Sequence, residues 1–454
     1  MIPRRRPCPT PSAKAAPAAP SPLFAGALLA VAVLLSGCQG GLQPPGRAAQ
    51  GAGFAPSDPA LLQRLSPDGS TASPIIATLA ARRSLLPPDG TFARIASAVQ
   101  ANSPGVEPAE LGLARLRAEA ASRNIWPSVT PTLTLTSLSG LAAQLVVDQP
   151  LLDHGRRKAE RARAAAELDL AAVTLSTRQN ARAFEGLSLY LTAEQSRAQG
   201  EIARRAASRL AEFHGIVTAR IEGGLSDRTE EQIIAQSLAE MQATQASDDE
   251  SRRQALADLA ALSGQALPDT LSGLDPLPDA PNNDALSILR AEAEGARLLA
   301  EARITRANAL PGLSANATLS EDGVTPGLSA GGLRLGLGNR AVLQAAGATP
   351  DLVARQQAEA RQTADRRRIE LQGRIAQLRT RQAQGQAVLR QTLGNLDLYA
   401  EQYSIGRRSL TDLTSQTAAA ARLERDQAAL VYEIARLQLE LARDAGALID
   451  GARL

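Results

Sequence analysis

Two periods of apolar residues divide the chain. In PSVTPTLTLTS, residues 127 to 137, Val129, Leu133 and Leu135 fall on one side of an extended backbone and Thr130, Thr132, Thr134 and Thr136 on the other, the period of two that marks a strand. A return strand follows, with Leu141, Ala143, Leu145 and Val147 in phase. Most of the remaining chain follows a helical period. Its last segment spaces Leu423, Leu430, Ile434, Leu437, Leu441 and Leu448 by 7, 4, 3, 4 and 7, the seam of a coiled coil. None of the 27 prolines lies between Leu151 and Leu267, and none follows Pro350. A helix interior rejects proline by about 3 kcal/mol, so these gaps predict long uninterrupted helices. One running from His154 to Glu222 would extend roughly 100 Å at ~1.5 Å per residue.

The pattern occurs twice. SRNIWPSVTPTLTLTS has a counterpart in RANALPGLSANATLS, with Asn124 matching Asn308 and Pro127 matching Pro311. Leu313, Ala315, Ala317 and Leu319 alternate there with Ser314, Asn316, Thr318 and Ser320, and GGLRLGLG, with Leu333, Leu335 and Leu337, is the expected return strand, Arg334 pointing the other way. The helical turns match as well. GLSDRTEEQ at Gly224 and GRRSLTDLTSQ at Gly406 make Glu230 and Asp412 equivalent, although taking Gly223 as the partner would shift the register by one.

The predicted fold is mainly α with a small β part, made of two repeats of helix, β-hairpin and long helical hairpin. Four strands cannot close a transmembrane barrel, which needs at least eight, and open strand edges are excluded from lipid. The strands are therefore expected to pair between chains as one subunit's share of a larger barrel. From periodicity alone, a soluble β-layer capping a coiled coil stands beside that reading.

The N-terminus bears on compartment. Arg4, Arg5, Arg6 and Lys14 precede an apolar run, Leu23 to Leu35, too short to span a bilayer permanently, which reads as an export signal. The run ends in Leu35-Ser36-Gly37-Cys38, which resembles the bacterial lipobox and implies lipidation of Cys38 after cleavage. Residues 1–37 are then signal peptide and 38–75, rich in Gly, Pro and Ser, a lipidated tether. The repeats are placed at 76–280 and 281–454. Loss of the signal leaves 45 of the 49 basic residues against 46 acidic ones, net −1, so the basic precursor is no argument for nucleic acid. Cys8 leaves with the signal, so no disulfide or Cys-based metal site is expected.

Over roughly residues 80 to 450 the chain resembles the TolC-like outer-membrane efflux proteins. The resemblance rests on YSIGRRSLTDLTSQ, NIWPSVTPTLTLT and QPLLDHGRRKAERARAAAE. It implies a homotrimer whose twelve strands form one barrel in outer-membrane lipid, with a helical tube reaching into the periplasm. It also implies a passive exit duct for tripartite efflux or type I secretion. Partners would be a periplasmic adaptor (membrane fusion protein) and an inner-membrane pump of the resistance-nodulation-division or ABC type. By the same resemblance Tyr403 and Arg408 belong to the periplasmic gate, and Asp412 and Glu230 form acidic rings at the pore constriction. Ser415 stands where some relatives carry a second acid.

No cofactor and no enzymatic activity are expected. His154 and His214 are 60 residues apart on one predicted helix, and no G-x-S-x-G, H-E-x-x-H or phosphate loop occurs. A periplasmic adaptor or a structural tether lipoprotein is the rival reading. An adaptor, however, has one hairpin between halves of a β domain, whereas here a β pair precedes each of two hairpins.

Overall fold

The computed structural model describes residues 73–137, 140–224, 227–266, 273–278, 283–320, 323–331 and 338–453. The signal segment, Cys38, most of the tether and the expected repeat boundary near residue 280 lie outside the described residues.

Three short helices come first: α1 (Pro74–Ala80), α2 (Thr91–Ala101) and α3 (Val106–Ser122). A hairpin, β1 (Ser128–Ser137) and β2 (Gly140–Leu152), leads into α4 (Arg156–Glu222) and α5 (Arg228–Ser263). The second repeat follows as α6 (Leu286–Asn308), β3 (Gly312–Ser320), β4 (Gly323–Gly331), α7 (Asn339–Ser404) and α8 (Leu410–Asp444). A 3-10 turn, Gly451–Arg453, closes the described chain. The 67 residues of α4 and 66 of α7 each extend about 100 Å. Alanine favours such length, because it loses no side-chain entropy in a helix and lets neighbours approach closely. Ala183, Ala193, Ala203 and Ala207 are buried along α4.

The helices pack side by side. Near the strands α4 lies between α3 and α6, and α7 packs beyond α6; towards the hairpin turns α4 lies between α5 and α8, and α7 packs beyond α8. Around the middle of α4, Phe92, Ile95 and Val99 of α2 pack with Leu187, Tyr190 and Leu191 of α4, Leu439 of α8 and Leu448. Arg82 ties three distant segments together, donating from its guanidinium to the Ala445 carbonyl (2.7 Å) and the Asp284 carbonyl (2.8 Å).

The strands form one antiparallel sheet in the order β1-β2-β3-β4, leaving β1 and β4 as its edges. Its register sorts side chains by face. Val129 sits opposite Val147, which sits opposite Ala317, opposite Pro326. With Pro131, Leu133, Leu145, Ala315, Leu319, Val324 and Leu328 these make a face that is apolar except for Gln149. Thr130, Val146, Thr318 and Thr325 form the next row, on the other face. Ser128, Thr132, Gln144, Asp148, Ser314, Asn316 and Ser329 share it, and the Ser314 and Ser329 hydroxyls meet at 2.8 Å.

Two expectations change. The return strand of the second hairpin is Gly323–Gly331; of GGLRLGLG it includes the first glycine, Gly331, and residues 332–337 lie outside the described residues. Pro326, Gly327 and Gly331 obscure the alternation of Val324 and Leu328 with Thr325 and Ser329. Such residues are tolerated because β4 is an edge strand. Likewise α7 runs through Pro350 instead of beginning after it. Val353, one turn on, is buried where Gly295 of α6 leaves no side chain in its way, so packing offsets the lost backbone bond.

Candidate functional site at the hairpin turns

The far ends of α4, α5, α7 and α8 converge on one cluster. Val217, Ile234, Leu396, Leu410 and Leu413 form its core, with Phe213, Tyr399 and Tyr403 against it. Both turns are built alike. Gly224 (φ 73°) and Gly406 (φ 75°) reverse the chain in the left-handed region, where a Cβ is costly. Asp227 then caps α5 by accepting from the Glu230 N–H, and Ser409 caps α8 by accepting from the Asp412 N–H. Glu230 and Asp412 thus hold the same third position of their helices, where the positive end of the helix dipole favours a carboxylate. This settles the register between the repeats at Gly224 and Gly406.

Each expected site residue has identifiable neighbours. The Arg408 guanidinium is 3.9 Å from an Asp412 carboxylate oxygen, the two side chains being 43% and 49% exposed. Arg408 also donates to the Gln402 side-chain carbonyl at 3.2 Å and stacks 4.7 Å over the Tyr399 ring. Tyr403 does not meet Arg408 in this way; its ring lies 5.3 Å below Arg220, from the end of α4. The Thr411 hydroxyl donates to Glu230 at 3.5 Å, so the two turns touch. Beside them His214 stands 4.0 Å from Glu231, which also accepts from the Thr218 hydroxyl.

Arg220 and Tyr399 were not singled out from the sequence as gate residues. Arg220 carries no local motif, and neither does Tyr399 beyond lying one turn before Tyr403. The sequence did place aromatic residues at i and i+4 before a basic turn, which is the only local signal for the stack. Within one copy these contacts are individually small. An exposed ion pair contributes about 0–1 kcal/mol, and a half-exposed cation–π contact about 0.5–1 kcal/mol. Among the described residues no group of acids, histidines or cysteines could hold a metal ion.

The arrangement, a four-stranded sheet joined to a layer of paired long helices, is the fold of outer-membrane channel proteins. Solved structures carry the likeness at low identity. The outer-membrane channel OprN matches with a TM-score of 0.70 and 17% identity, over 81% of this chain and 93% of that one. VceC, an outer-membrane protein of Vibrio cholerae, matches at 0.64 and 16% over 80% and 96%. The open state of the MtrE outer-membrane channel of Neisseria gonorrhoeae matches at 0.65 and 14% over 79% and 90%. No protein-family model and no curated protein matches this chain.

Proposed function

We propose that three copies of this chain form an outer-membrane channel-tunnel, the exit duct of a tripartite efflux or type I secretion system. The observation that carries this reading is the sidedness of the sheet. Water would not select a face that is apolar but for Gln149 and on which, among the described residues, Val129, Leu133, Val324 and Leu328 stand exposed, whereas lipid requires it, and unpaired edges at β1 and β4 need partners there. Three sheets joined edge to edge give twelve strands, the polar face lining the lumen. Cys38 anchors the chain in the same membrane. The helices then reach into the periplasm, and the hairpin turns form the tip that an adaptor engages and an inner-membrane pump feeds.

At the tip, Asp412 and Glu230 would recur by threefold symmetry, and rings of carboxylates in a narrow pore favour cations. Arg408 holds Asp412, while Tyr403 and Arg220 join the second hairpin to the first. The weakness of these contacts within one copy suits a gate that opens on adaptor binding, because a few small terms can bias a bistable element.

The test is conductance of the purified lipoprotein in a planar bilayer, with Asp412→Ala alongside. Cation-selective steps that lose selectivity in the variant are expected, together with heat-resistant trimers in outer-membrane fractions. A protein that stays monomeric, leaves the membrane without detergent and conducts nothing would overturn the reading in favour of an adaptor or tether.

A further inference from the structure

The long helices are not uniformly apolar where they meet. On α7 the inward positions follow an unbroken 4-3 spacing: Leu371, Ile375, Leu378, Gln382, Gly385, Leu389, Thr392, Leu396, Tyr399 and Tyr403. Between Ile375 and Leu396 no residue of α7 is fully buried, a span of about 30 Å. Gly385 lies in the middle of this gap, and a methyl group there would land on the Gln427 amide of α8. The side-chain oxygen of Gln427 is buried without a partner.

At the same level α8 crosses the first hairpin through a charged contact. Arg425 makes two bonds to the carboxylate of Asp248 on α5, both side chains being largely buried. Arg425 also donates to the Gln199 carbonyl of α4 at 3.1 Å, and the Gln199 side chain donates back to the Arg425 carbonyl at 3.3 Å. Asp248 occupies a seam position of α5, between Met241 and Ala255. Gly200 of α4 lies directly under it.

A polar layer therefore crosses all four helices at one height. Towards the turns lie the apolar clusters of Ile202, Leu210 and Met241 and of Val217, Ile234 and Leu410. Towards the strands lie those of Leu371, Ile375, Ile434 and Leu437 and of Leu187, Leu191 and Leu259. A polar residue in a coiled-coil seam fixes register at a cost in stability. Polar partners can also exchange for water as helices slide, which interlocked apolar side chains cannot do without opening a void.

We propose that this layer is the fulcrum of tip opening. The stretches of α7 and α8 on the turn side, from Gly385 to Ser404 and from Leu410 to Arg425, move as one body, while the strand side stays fixed. Arg425, Asp248, Gln199 and Gln427 are positioning residues that set where the bend falls and restore register on closing. The inference rests on the conduit reading, but the flexure can be tested without it.

The experiment is hydrogen exchange by mass spectrometry on the full lipoprotein in nanodiscs, paired with bilayer recording. Protection should fall by at least about tenfold in one step, at Gln382–Leu389 on α7 and at Arg425–Gln427 on α8. Arg425→Leu with Asp248→Leu should flatten the step and lower open probability severalfold. Gln427→Leu, which alters only the α7–α8 seam, should do the same to a lesser degree and serves if the double variant fails to assemble. Protection that declines smoothly from the turns, or a step unchanged in the folded variants, would overturn the fulcrum. A variant-sensitive step in a protein that never conducts would support the fulcrum and overturn the conduit.

Discussion

Val146 and Val147 are adjacent, chemically identical and on opposite faces of β2, close to its middle. Val147 lies between Val129 and Ala317 on the apolar face; Val146 lies between Thr130 and Thr318 on the polar one. If the apolar face meets lipid, Val147→Arg places a guanidinium near the bilayer midplane, which costs about 2–4 kcal/mol per copy. Three copies bring this to about 6–12 kcal/mol per trimer by the same scale, comparable to the usual stability of a whole domain, about 5–15 kcal/mol. Val146→Arg points into a hydrated lumen and should cost about 0.5 kcal/mol or less, as surface substitutions do. Folding into lipid vesicles, followed by the appearance of heat-resistant trimer across a urea series, measures both. Val147→Arg should give little or no trimer, and Val146→Arg should follow the native protein. Equal behaviour of the two variants would refute the assignment of faces, and with it the argument from sidedness.

Other consequences are open to measurement. Burial pushes the Asp169 carboxyl of α4 up to about 6, with Ser73 acting weakly the other way. A raised carboxyl is favoured protonated in the fold, so its contribution is present below about pH 4 and is lost as pH rises through 6. Asp169→Asn should match the native protein in unfolding free energy at pH 4 and exceed it above pH 7, by up to about 3 kcal/mol for a shift of this size, read from urea midpoints at the two pH values. Arg220→Ala and Arg408→Ala should each shift the closed–open balance by only about two- to fivefold per copy, as exposed contacts of 1 kcal/mol or less allow; complete, permanent opening by either would show a stronger latch than these contacts supply. Ser409→Ala removes the cap on α8 and should lower stability by about 1 kcal/mol, read as a lower urea midpoint, whereas Ser415→Ala should leave it unchanged. Cys38→Ala should abolish incorporation of labelled fatty acid and leave the conductance of the reconstituted protein intact.

How much was legible beforehand depended on whether a feature is local. Alternation in PSVTPTLTLTS, the proline-free windows and the matched offsets of the repeats each reflect backbone geometry within a few residues, and β1, β2, α4 and the paired turns lie where those patterns put them. The fourth strand failed the same test, because Pro326 and three glycines break its pattern, and the clearer alternation of Leu333, Leu335 and Leu337 in the sequence drew the expectation past it. Pro350 misled for a similar reason: its local penalty was visible, but the packing of Val353 against Gly295 was not.

By itself the sequence determined the elements other than β4 and the start of α7, their twofold repetition and the positions of the turn carboxylates, since a period of two or of 3.5 and a capping residue act through neighbouring backbone. Only the tertiary structure decided which faces coincide across four strands, that Tyr403 meets Arg220 while Arg408 meets Tyr399, and that Arg425 closes on Asp248, 177 residues away. Those pairings depend on which helices become neighbours, and that follows from burying the apolar seams of the whole chain together, which no local period encodes.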